Sequence, residues 1–311
     1  MLLFSDLHLS PKTFETSMKV LRRVHQEALY RNIPVGFLGD FFDHVYNKGT
    51  LPVDILNDLL RYFADEWHVP MIMIPGNHDY FDASETEHGL TPFKYASNLI
   101  TVLDKPTVID NRLWVPWRRD PVVCKRIIDA HPSVDVIFGH FDIIGFKLNA
   151  KRVSTEGLSL EMFPSEIPVY TGHYHTSQSH RNVVYLGSPY QLTLSEAEDK
   201  KALILLDDVG NISGKIPIDI GRKQYKWTPS ELIARSAVLK PTDRVSVTGS
   251  PPIELVRELR EQGVQVDVKA ILKEIETRIK EPEAMSEKQF LDEYAKIHEI
   301  DVDGPSWKIL C

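Results

Sequence analysis

The sequence has almost no cysteine: Cys124 and Cys311 are the only two. This excludes a disulfide-stapled scaffold, and their spacing excludes a zinc knuckle. There is no apolar run near about 18 residues, so no segment reads as a membrane span. The first strand-like segment, "MLLF", starts at Met1 and leaves no room for a leader peptide, so a cytoplasmic location is expected. Positive charge is in deficit, with 36 Lys and Arg against 44 Asp and Glu and a net charge of -8. That excludes a basic grip on nucleic acid spread over the whole surface. It leaves room for a local patch, or for a site whose bound cations supply the charge. Internal repeats and low-complexity segments are also missing. What is present, 42% hydrophobic and 26% charged residues, makes a globular chain long enough for one large domain and a smaller one.

A helical period over 14 to 30 follows the first strand, and "IPVGFLGD" at 33 to 40 reads as a buried strand ending in Gly-Asp. An amphipathic stretch at 51 to 66 precedes a strand at 70 to 77. Short strands follow around 107 to 116, then a helix near 120 to 130 and a strand at 134 to 140. Strands at 167 to 171, 182 to 186, 201 to 207 and 214 to 218 come without long helices between them, which suggests a layered sandwich with helices outside. A linker is expected over about 219 to 241, with a capping box "TPSE" opening a short helix. Residues 244 to 268 read as a βαβ-like unit of a second domain, and amphipathic segments follow at 269 to 280 and 286 to 297. The expected division is 1–220 for the larger domain and 221–311 for the smaller. On the 51–66 helix, Leu56, Leu59, Leu60 and Phe63 share one side; core packing explains them more simply than a homodimer surface.

The carboxyl ends of the strands carry the chemistry: "SDLH" at 5 to 8, "GDFFD" at 39 to 43, "GNHD" at 76 to 79, "GH" at 139 to 140 and "GHYH" at 172 to 175. Ligand sites of α/β folds gather at such ends, where loops converge. In "GHYH", strand alternation places His173 and His175 on one side, with Tyr174 opposite. Oxygen and nitrogen donors without thiolate suit Mn²⁺, Fe or Zn²⁺, and about seven of them are too many for one ion. Any single histidine would be incidental, and His25, His68, His88, His131, His180 and His298 are read so. Five donor motifs in order, each behind a strand, are not.

The order D-x-H, G-D-x-x-D, G-N-H-D, G-H, G-H-x-H resembles the calcineurin-like metallophosphoesterases. The resemblance implies an α/β fold, a four-layer αββα sandwich with a small α+β capping domain at the C-terminus, and a site for two divalent metal ions, expected to be Mn²⁺. It implies that Asp6, His8 and His175 hold the first ion and that Asn77, His140 and His173 hold the second, with Asp40 bridging. His78 would face the scissile phosphate as a non-ligand, oriented by Asp43, while His44 would point elsewhere. The pair of ions would activate water for attack on phosphorus.

The segment 184 to 207, "VYLGSPYQLTLSEAEDKKALILLD", together with "VPWRRD" at 115 to 120 and residues 138 to 163, resembles SbcD-type DNA repair nucleases and the recombination exonuclease subunits of tailed phages. "SDLH" departs from the nuclease branch in lacking a tryptophan between Asp and His. The resemblance implies a DNA nuclease partnered by an SbcC-like SMC-type ATPase. The alternative is a small-molecule phosphodiesterase or phosphatase of the same superfamily. A scaffold that had lost its metals would lack donors, and all seven are here. Arg118, Arg119, Lys147, Lys151 and Arg152, with Trp117 and Phe146 beside them, are candidate DNA contacts by charge and stacking.

Overall fold

A computed structural model describes residues 1–44, 51–148 and 152–269. The chain opens with β1 (Leu2–Phe4), α1 (Phe14–Arg31), β2 (Val35–Leu38), α2 (Val53–Arg61), β3 (Met71–Ile74), a single turn α3 (Phe93–Ala96) and β4 (Ile100–Val102). It continues with β5 (Thr107–Ile109), β6 (Arg112–Val115), α4 (Pro121–Asp129), β7 (Val136–His140), β8 (Val169–Gly172), β9 (Gln178–His180) and β10 (Val183–Tyr185). Then come β11 (Lys201–Leu206) and β12 (Ile212–Ile218). One six-stranded sheet has the order β12-β11-β1-β2-β3-β4, and the other β5-β6-β7-β8-β10-β9. The central strands of both are parallel; antiparallel strands close both edges of the second sheet and the β11–β12 side of the first, whose other edge, β4, is parallel to β3.

Alternation along single strands shows how the layers stack. In β1, Leu2 and Phe4 pack with α1, whereas Leu3 points the other way into a cluster shared with Trp114, Val136 and Phe138 of the second sheet. In β7, Ile137 joins the outer cluster beneath α4, while Val136 and Phe138 face the first sheet. Both faces of each sheet are covered, which is why these strands read as continuous apolar runs. The result is the expected four-layer αββα sandwich. Helix α1 buries Ser17, Leu21, Val24 and Ala28 on one stripe and stops at Asn32, whose left-handed backbone (φ 52°) caps it.

The expected linker holds a strand. Residues Gln224–Trp227 form β13, followed by α5 (Pro229–Arg235), β14 (Arg244–Thr248), α6 (Ile253–Glu261) and β15 (Gln265–Lys269). Strand β13 pairs in parallel with β14, giving a third sheet in the order β13-β14-β15 around a cluster that includes Trp227, Leu232, Val245 and Leu259. "QYKW" mixes polar and aromatic residues and carries no clear strand signal by itself. The capping box of α5 is present: Glu231 N donates to Thr228 Oγ1 at 3.2 Å and Thr228 N to Glu231 Oε2 at 2.7 Å. The third sheet meets the sandwich through Gln224, bonded to Gln191, and through Trp227 Nε1, which donates to Glu198 at 2.9 Å. The 269–280 and 286–297 segments lie outside the described residues apart from Lys269. The 51–66 segment is helical, with Leu59 and Phe63 buried in the core. Among the described residues no helix is long and apolar enough to cross a membrane.

Candidate metal centre

The seven donors sit where the parallel strands end. Asp6 and His8 follow β1, Asp40 follows β2, Asn77 follows β3, His140 closes β7, and His173 and His175 follow β8. Four of them have left-handed backbones that non-glycine residues rarely adopt: φ is 54° at Asp6, 47° at His8, 59° at Asp40 and 98° at His173. Such strain gathered in one cleft is the mark of a site held in place by its surroundings. Two glycines make the approach possible. A Cβ on Gly76 would lie 2.2 Å from Asp40 Oδ1, and one on Gly39 would lie 2.4 Å from His140 Nδ1.

Three sets of side chains bring one donor atom each within 4.8 Å of the others: Asp6, His8 and His175; Asp40, His140 and His173; and His8, Asp43 and His78. Asn77 belongs with the second set, its Oδ1 being 3.0 Å from His140 Nε2 and 2.9 Å from His173 Nδ1. Asp40 stands between the sets, Oδ2 being 3.3 Å from His140 Nε2 and 3.7 Å from His8 Nε2. His8 Nε2 is buried and has no hydrogen-bond partner. An unmatched buried nitrogen among carboxylates suits a cation ligand better than a packed core. His173 and His175 reach one cleft but separate sets, and they do so through a turn rather than by strand alternation, because β8 ends at Gly172. Tyr174 between them turns away to stack on Tyr185 at 4.6 Å.

Electrostatics reflect this crowding. Burial alone would push His140 down, but the charge and hydrogen bond of Asp40 outweigh it and raise the imidazole to about 9. His140 Nδ1 is meanwhile held 2.7 Å from the Leu38 carbonyl, which leaves Nε2 toward the cleft. His173 goes the other way, to about 3, through burial and then the charge of His140. Burial pushes the Asp40 carboxyl up, yet His140, His78 and His8 together hold it well below the carboxylate range.

The His78 neighbourhood differs from expectation in two respects. Its Nδ1 meets the backbone carbonyl of Asp43, not the carboxylate, which instead lies 3.4 Å from His8 Nδ1. His44 does not point elsewhere: its Nδ1 is 2.9 Å from His78 Nδ1, and the rings are 4.3 Å apart. The loop after β2 bends back on itself, so residues 43 and 44 both face the same histidine.

Three polar residues of the site were not read from the sequence. Asp79 is fully buried and accepts four backbone N–H groups, from Asp40 (2.9 Å), Phe41 (3.2 Å), Phe42 (2.9 Å) and Gly76 (2.9 Å), tying the Asp40 and Asn77 loops together. Glu196 and Lys201 form a buried ion pair at 2.7 Å beside His175. Asp79 stands within the "GNHD" motif, so a signal existed; Glu196 and Lys201 sit in an acidic and basic run that reads as surface.

The candidate DNA contacts are scattered in their availability. Arg118 is committed to Tyr80 Oη (2.8 Å) and to the Trp117 and Asp104 carbonyls. Arg119, Lys147 and Arg152 are exposed, and Lys151 lies outside the described residues. Phe146 is buried against Tyr185 and cannot stack on a base, whereas Trp117 is half-buried with its ring 5.0 Å from His173.

A sandwich of two sheets that collects carboxylate, amide and imidazole donors at its strand ends has the side chains to hold divalent metal ions. The model of the calcineurin-like phosphoesterases matches residues 1–177, more than half of the chain, and the protein belongs to that family. The chain is also 26% identical over 177 residues to exonuclease subunit 1 of Enterobacteria phage T4, covering 54% of this chain and 51% of the relative. It thus spans about half the length of that relative.

Proposed function

We propose that this protein is a DNA nuclease that hydrolyses phosphodiesters with two divalent metal ions, Mn²⁺ being the expected pair. The observation that carries the reading is the placement of Asp40 between two donor sets, one of Asp6, His8 and His175 and the other of Asn77, His140 and His173. Two such ions, when bound, polarise a phosphoryl oxygen and lower the pKa of water so that it can attack. The chain's own residues do the rest. Asp6, His8 and His175 would hold one ion and Asn77, His140 and His173 the other, with Asp40 available to both. His78, fixed through Nδ1 by the Asp43 carbonyl and His44, keeps Nε2 for a proton destined for the leaving oxygen, a role worth about 10²- to 10⁴-fold. Trp117, half-buried at the edge of the cleft, and exposed Arg119 and Arg152 supply stacking and charge for a strand.

DNA as substrate is supported by the likeness to a protein named as an exonuclease subunit. That name also supports a partner, which we take to be an SbcC-like ATPase, in a DNA repair or recombination complex. Residues 221–311 would act as the capping domain. The test is nucleotide release from linear duplex DNA with Mn²⁺, run beside a chromogenic phosphodiester. Degradation of DNA that chelator abolishes is expected. Cleavage of the small diester alone would move the substrate to a small molecule.

A further inference from the structure

Behind His175 lies a buried charge pair that contributes no atom to the three donor sets. The side chains of Glu196 and Lys201 are 2% and 3% exposed. Lys201 Nζ donates to Glu196 Oε2 at 2.7 Å, to Ser188 Oγ at 3.0 Å and to the backbone carbonyl of His175 at 2.9 Å. Glu196 Oε1 lies 3.3 Å from His175 Nδ1 and accepts from Thr193 N at 3.1 Å. Two buried charges are costly unless all their hydrogen-bonding groups are matched. Here the matching converges on one imidazole, whose backbone is held by the lysine and whose ring is held by the carboxylate.

The contrast with His140 is instructive. Its Nδ1 faces the neutral carbonyl of Leu38 at 2.7 Å, whereas the Nδ1 of His175 faces an anion. A carboxylate at one ring nitrogen fixes the tautomer and makes the other nitrogen a stronger ligand.

We propose that Glu196, anchored by Lys201, is a positioning residue that orients His175 and makes the Asp6, His8 and His175 position the tighter of the two metal sites. The proposal rests on the two-metal reading above. Glu196 also closes a capping box with Thr193 over the short 3₁₀ turn Leu194–Glu196, so the cap must be separated from the metal role.

The experiment is Mn²⁺ titration of chelator-stripped full-length protein, followed by calorimetry and by the electron paramagnetic resonance signal of the coupled ion pair. The wild type is expected to take up two ions with unequal affinities. Glu196→Gln is expected to weaken the tighter ion by about 10- to 100-fold and to delay the coupled signal to higher Mn²⁺. Thr193→Ala, which removes the cap hydroxyl and its 3.2 Å bond to Glu196 Oε1 but keeps the Thr193 N and Lys201 bonds to the carboxylate, is expected to shift the tighter ion far less than Glu196→Gln does. Lys201→Gln is expected to shift the tighter ion in the same direction as Glu196→Gln, and it carries the test if the glutamate variant fails to fold. Unchanged affinities in the folded Glu196 or Lys201 variant, or a Thr193→Ala variant that reproduces the loss, would overturn the proposal. A wild type that never binds a second ion would instead overturn the two-metal reading itself, before any substitution is compared.

Discussion

Asp79 offers the sharpest test of how the site is built. Its carboxylate is fully buried and is the shared acceptor of four amide N–H groups, three in the loop carrying Asp40 and one at Gly76 beside Asn77. Burial and then the charge of Asp40 push its pKa up, against the pull of those amides. Asp79→Ala leaves four buried donors unmatched. At about 1–3 kcal/mol for each buried group left unpaired, the range is roughly 4–12 kcal/mol. Water entering the vacated space and relief of repulsion with Asp40 bring the expected loss to the low end, about 4 kcal/mol, a large fraction of the ~5–15 kcal/mol that stabilises a typical domain. Asp79→Asn retains the volume and one acceptor oxygen and should lose about half as much. Urea unfolding at pH 8 in chelator measures both. The loops that slip are the metal-bearing ones, so Mn²⁺ affinity should fall in the same order. An Asp79→Ala variant that loses less than about 1 kcal/mol, or that binds Mn²⁺ like the wild type, would refute the idea that this carboxylate holds the two loops.

Gly76→Ala should abolish binding of at least one ion, seen by calorimetry, because its Cβ would sit 2.2 Å from Asp40 Oδ1 and 2.4 Å from Asp40 N. Leu3→Ala, in the layer between the sheets where Leu3 is fully buried, should cost about 2–5 kcal/mol in urea unfolding with Mn²⁺ affinity unchanged. Mn²⁺ at about 100 times its dissociation constant should stabilise the wild type by about 2.7 kcal/mol per ion, and Asp40→Ala should gain less. His88, buried and 2.8 Å from Asp104, has its pKa lowered below 6.5, by burial first, against the hydrogen bond to Asp104. The unfolded chain therefore takes up this proton before the folded one, so stability should decline as pH falls below about 6.5, and His88→Gln should flatten that part of the unfolding profile.

The clustering of the seven candidate donors was legible because each stands directly behind an apolar run, and in an α/β fold that position has a geometric meaning. The layers were legible too, since Leu2, Leu3 and Phe4 in succession already require cover on both faces. What escaped the sequence depends on pairings between distant segments. Nothing local says that the loop after Asp40 curls so that His44 meets His78, or that Asp43 turns its carboxylate to His8. Glu196 and Lys201 look like surface charge until the fold buries them against His175. Strand β13 escaped for a related reason: "QYKW" becomes a strand because β14 offers it an edge, not because of its own alternation.

The central claim is that seven side chains form one centre for two ions with Asp40 shared. The most direct measurement is anomalous diffraction at the manganese edge from crystals grown with Mn²⁺. Two peaks are expected, one among Asp6, His8, Asp40 and His175 and the other among Asp40, Asn77, His140 and His173. A single peak, or a peak seated between His8, Asp43 and His78 instead, would contradict it.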